Sequence, residues 1–163
     1  MKRIHIFIFT VIFAGCDEEH NQNEVKEYMG KIKSETYADL FLPDFEPEHI
    51  SSLLNYRNDK SIIEKYPTNL ISSFLCDSVT VGIIALWTIE SIRVSELNGD
   101  TSKYNRFPSL NPALVDTSRI IQNKIVLQDS ASIRYFNWWN KNSQPEERKI
   151  NTNPLEGSNI AWR

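Results

Sequence analysis

Glu90 and Arg93 stand three residues apart inside an otherwise apolar run, "VTVGIIALWTIESIRVSEL" (residues 79–97). On a helix, positions i and i+3 adjoin on one face, so a carboxylate and a guanidinium here lie side by side. Two kinds of chemistry suit such a pair: an acid held for proton transfer or ligand binding, or an ion pair at the rim of a core. A catalytic acid wants a second titratable partner, and none stands nearby in the sequence. The structural ion pair is therefore the expected role, and no residue is assigned to catalysis. The rest of the reactive inventory is thin. Cys76 follows Phe74 and Leu75 and reads as a buried, inert thiol. His5 and His20 precede the folded part, leaving His49 as its one histidine. A metal site of three or four His/Cys ligands cannot be assembled from that set. The sequence holds no G-x-S-x-G turn, no phosphate-cradling glycine loop and no zincin helix, so neither metal nor cofactor is expected.

The other residues with a chemical use are aromatic. Tyr135, Phe136, Trp138 and Trp139 crowd one stretch near the C-terminus. Successive helical residues point about 100° apart, so the two Trp rings cannot share one position on a helix. Ala131, Tyr135 and Trp138 form one stripe; Phe136 and Trp139 form a second beside it. The expectation is that Trp138 faces the core and Trp139 lies near its edge, with Trp139 and Phe136 as a candidate aromatic surface for stacking a sugar.

The N-terminus gives an address. Lys2 and Arg3 precede a segment, Ile4 to Ala14, that is apolar except for His5 and Thr10. This is the build of a secretory signal, too short to span a bilayer, which takes ~20 apolar residues. Phe13-Ala14-Gly15-Cys16 resembles the bacterial lipobox, with Phe where Leu is usual. That resemblance implies removal of residues 1–15 and acylation, by palmitate or a similar chain, of Cys16, which would anchor the protein to a membrane. Asp17 to Asn23 has no apolar residue, so residues 16–23 read as a disordered acidic tether, reaching at most roughly 23 Å when extended. The acidic run also resembles the surface-export signal of Bacteroidota lipoproteins, implying an outer-membrane address, facing periplasm or cell surface. In an enterobacterium Asp17 would instead imply retention at the inner membrane.

Without residues 1–15 the chain carries 16 basic against 21 acidic residues, a net charge of −5. That offers no electrostatic footprint for nucleic acid. The hydrophobic content, 40%, suits one core at this length, and five glycines are few for an all-β fold. The elements that must position these residues read as helices. Residues 24–37 carry Val25, Met29 and Ile32 at helical spacing. Residues 40–45 are extended, and Pro47 suits the first turn of a helix continuing to Tyr56. Asp59 can cap a short helix over 60–66. Residues 78–97 form a buried helix, with Ser78 as cap and Gly99 in the left-handed position past its end. Residues 106–112 are a proline-bounded loop, 120–127 fit helix or strand equally, and Asp129 caps a last helix over 130–142. Residues 144–163 read as a loosely attached polar tail from which Trp162 docks back.

"LPDFEP" (42–47), "LLNY" (53–56), "YPTN" (66–69), "LWTIESIR" (86–93) and "FPSLNP" (107–112) together resemble an uncharacterised family of Bacteroidota lipoproteins, a domain of unknown function. The resemblance covers about residues 37–142, LWTIESIR being its most specific piece, and brings no catalytic residues with it. "RYFNWWNKN" (134–142) resembles the closing helix of HEAT-like repeats. The resulting expectation is an all-α domain over 24–143, of antiparallel helical hairpins in HEAT-like packing with extended Pro-containing loops. The expected function is that of a non-enzymatic envelope lipoprotein binding a protein partner. The alternative is an accessory glycan-binding lipoprotein of a polysaccharide-uptake system.

Overall fold

A computed structural model of the chain describes residues 14–69, 71–72, 77–99, 102, 106–120, 123–141 and 149–163, with the side chains of 14–17 left out. The leader over 1–13 and the thiol of Cys76 lie outside the described residues, as does the side chain of Cys16.

Val81–Asn98 (α3) is the central element: every residue from Val81 to Ile92 is buried. Thr80, not Ser78, caps it, its hydroxyl accepting the N–H of Ile83. Gly99 ends it at φ +61°, the left-handed conformation that glycine adopts without strain. Ala14–Lys33 (α1), Ile50–Leu53 (α2) and Lys124–Trp139 (α4) pack against α3. α2 continues short 3₁₀ turns on both sides, Pro47–His49 and Leu54–Tyr56, and Pro47 occupies the first-turn position expected for it. From α1, Val25, Met29 and Ile32 enter the core, joined by Tyr28, whose hydroxyl lies 3.0 Å from Thr88 Oγ1.

Several expectations are corrected. The 16–23 segment is helix, not disordered tether: α1 begins at Ala14. A helix already nucleated by the packed turns from Val25 to Ile32 extends at little cost into Glu18, Glu19 and Gln22, which are good helix formers. The 60–66 helix is absent. Asp59 caps a turn instead, accepting the Ser61 N–H at 2.8 Å, and Ile62–Ile63 (β1) pairs antiparallel with Val79–Thr80 (β2), Ile62 opposite Thr80. Asp129 lies inside α4, which Asn123 caps by accepting the Ile125 N–H, so 124–127 is helix. Starting earlier lets α4 bury Leu127 and Gln128. Residues 144–163 are not wholly a loose tail: Ile150 and Leu155 are buried, and Ile160–Trp162 (β4) pairs antiparallel with Leu114–Asp116 (β3), Trp162 opposite Leu114. The fold is thus mixed α/β rather than all-α, with four α-helices and two two-stranded sheets among the described residues. No described helix is long and apolar enough to cross a membrane.

Candidate functional site

The structure brings Glu90 and Arg93 together and shows what else holds them. Arg93 donates from Nε to Glu90 Oε2 at 3.0 Å and from Nη2 to Oε1 at 2.5 Å. Tyr135 donates to the same Oε2 at 2.7 Å, and its own oxygen accepts the Trp162 indole N–H at 2.9 Å. One chain of hydrogen bonds therefore ties α3 to α4 and to β4. Burial pushes the Tyr135 phenol well above its ordinary value, and the neighbouring Glu90 charge adds to this. Burial alone would lower Arg93, but its bonds to Glu90 outweigh that and raise it. With both carboxylate oxygens engaged and the side chain 8% exposed, Glu90 is built as a tie between elements. Glu90→Gln keeps the shape but leaves the Arg93 cation without its counter-charge, so a thermal melt should show a loss of roughly 2 kcal/mol. Unchanged stability would remove the structural role.

The aromatic surface is corrected in part. Trp138 and Trp139 are equally buried, at 7%, so Trp139 offers no face for a sugar. Its indole N–H donates to Ser51 Oγ at 2.7 Å, and Lys149 Nζ lies 4.7 Å from its ring centroid. Phe136 is exposed, with the Arg57 guanidinium 4.3 Å from its ring. His49 is buried and holds structure: it stacks on Phe45, accepts the Glu46 N–H at Nδ1, and places Nε2 2.9 Å from Glu24. Among the described residues no group of His, Cys, Asp or Glu could hold a metal ion.

Three of the motifs behind the family resemblance, LWTIESIR, FPSLNP and LPDFEP, meet in space. Trp87 donates to Ser109 Oγ at 2.8 Å and its ring lies 5.4 Å from Phe107, so the 107–112 loop is seated on α3. Arg106 then reaches back to Asp44 at 2.7 Å and to the Leu42 carbonyl at 3.3 Å. This junction is a packing unit rather than an opening.

An opening lies elsewhere, where the β1–β2 pair, the Pro112–Leu114 segment and the first turns of α4 converge. They enclose a groove of about 200 Å³. Its walls are apolar, with Ile62, Ile83, Leu114 and Ile125 prominent, and Lys60 and Lys124 also line it. The polar groups beneath are consumed internally. Thr80 donates to Gln128 Oε1 at 2.7 Å, and Gln128 Nε2 donates to the carbonyls of Arg57 at 3.1 Å and Asp59 at 3.2 Å. Burial opposes the charge on Asp59, but hydrogen bonds from Ser61 and Lys33 outweigh it and hold the carboxyl down at about 2. The turn that shapes the groove is therefore pinned from several directions. At the rim Ile62 is 71% exposed and Ile125 51%, an arrangement suited to docking an apolar group.

Sequence reasoning missed this groove because a helix over 60–66 would have turned Ile62 elsewhere. Two signals pointed to it. Gly82 interrupts an apolar helix, where glycine costs about 1 kcal/mol relative to alanine and so calls for a packing reason. Gln128 sits among apolar neighbours, and a buried amide calls for partners.

No curated protein and no solved structure matches the chain. A family does match, over residues 19–163, which takes in every described strand and the buried parts of all four helices. The chain belongs to that family, the domain of unknown function DUF4943.

Proposed function

We propose that the protein is a cell-envelope lipoprotein, anchored at the outer membrane by lipid on Cys16, that binds a protein partner and catalyses no reaction. The observation that carries the binding part is the open apolar groove with Ile62 and Ile125 exposed at its rim. Exposed apolar groups around a concavity are characteristic of surfaces that dock other molecules. The anchor is supported by the apolar leader, by the small residues before Cys16, and by a family match that starts at residue 19, just beyond it. The Bacteroidota origin and the HEAT-like relation of α4 rest on the sequence resemblances alone. The glycan alternative loses the Trp139 platform on which it stood.

A photo-crosslinking amino acid placed at Ile62 in intact cells should give one discrete protein adduct. The same group at Ile133, exposed on α4 but outside the groove, should give none. Absence of an adduct at Ile62, or equal adducts at both positions, overturns the partner reading. Cys16→Ser should release the protein from membranes or leave it uncleaved; undiminished labelling by tritiated palmitate overturns the anchor.

A further inference from the structure

The groove also constrains what enters it. Sites for whole small molecules run ~300–1,000 Å³, whereas a cavity of ~150 Å³ already holds benzene. At about 200 Å³ the groove matches one large apolar side chain, the kind of anchor that dominates a protein interface. Its rim adds charge. Lys60 already receives a carboxylate, Asp129 Oδ1 at 2.5 Å. Lys124 makes no ion pair with any described residue. Lys124 also stands in the first turn of α4, where the helix macrodipole is itself positive and a cation is unfavourable. With Asp129 offsetting Lys60, one positive charge remains at the mouth of an apolar slot, on a chain whose net charge is negative.

Resting on the partner reading above, we propose that the groove takes a large apolar side chain of the partner, Phe or Leu in size, next to an aspartate or glutamate that pairs with Lys124. The side chain fills the space between Ile62, Ile83 and Ile125, and the acid stays at the rim. The apolar residue supplies most of the affinity, because an exposed ion pair is screened by water and contributes little. The acid supplies selection against basic segments.

The probes are end-blocked tetrapeptides, Gly-Phe-Asp-Gly, Gly-Phe-Asn-Gly and Gly-Ala-Asp-Gly, titrated into the purified protein with the isoleucine methyl signals followed by NMR. Gly-Phe-Asp-Gly should move the signals of Ile62, Ile83 and Ile125. Phe to Ala should weaken binding about tenfold or more, and Asp to Asn about threefold. Lys124→Glu should cost the Asp peptide at least that much while sparing the Asn peptide. Equal binding of the Asp and Asn peptides overturns the acidic half of the proposal, and equal binding of the Ala peptide overturns the apolar half. Saturation of the groove by decanoate with no response to any peptide would make the occupant a fatty acid and overturn the whole. If the Ile62 adduct forms in cells while no peptide binds, this proposal fails and the partner reading stands. If the Asp peptide binds but no adduct forms, the partner reading fails and the chemistry of the groove stands.

Discussion

Gly82→Ala should lower the melting temperature by roughly 10 °C, the equivalent of about 3 kcal/mol for a chain of this size. An alanine Cβ at this position would lie 2.2 Å from Gln128 Nε2, 2.6 Å from the Arg57 carbonyl oxygen and 2.8 Å from that of Asp59. The side-chain amide could swing away, but only by giving up its bonds to those same carbonyls. The carbonyls belong to the backbone and can retreat only if the turn shifts, and the Gly82 N–H is itself bonded to the Asp59 oxygen at 2.9 Å. Overpacking and lost hydrogen bonds therefore add. Gly30→Ala provides the contrast: nothing lies within 4 Å of its would-be Cβ, and glycine within a helix is unfavourable, so stability should rise by about 0.5–1 kcal/mol. Similar melting curves for the two variants would show that the α3–α4 approach does not depend on a bare backbone at Gly82.

Trp138→Ala and Trp139→Ala should each cost roughly 3–5 kcal/mol, the usual range for truncating a buried tryptophan. The sequence pattern favoured a severe effect at the first and a mild one at the second. The structure makes them comparable, because both rings are buried to the same degree and each indole N–H has a partner. Trp138 donates to the Lys149 carbonyl at 2.7 Å and to Thr152 Oγ1 at 2.9 Å, fastening the C-terminal segment to α4. Trp139 instead fastens α4 to Ser51 at the start of α2. Chemical denaturation with both variants checks this: a mild loss at Trp139 beside a severe one at Trp138 would restore the one-sided helix.

That difference shows where sequence reasoning stops. Helical faces were legible wherever a period ran for several turns, as at Val25, Met29 and Ile32 or along α3. Gly99 marked a helix end because the left-handed conformation limits the residue types that fit there. The strands were not legible, since β1 and β2 are two residues each and β4 three. Such lengths show no alternation, and their pairing is set by distant partners: Ile160–Trp162 is a strand only because Leu114–Asp116 lies beside it. Trp139 was misplaced because a helical wheel assumes one packed side, while the Ser51 and Lys149 segments close over a second. The groove draws on four separate stretches of chain, so no local window contained it.

α1 runs without interruption from Ala14 to Lys33, and its first fully buried core residue is Val25. A lipid on Cys16 would be joined to that residue by about 14 Å of helix, at 1.5 Å per residue. A slack leash would let the domain tumble freely above the bilayer. The helix would instead hold the spacing between that lipid and the core fixed, and with it the reach of the groove from its anchor.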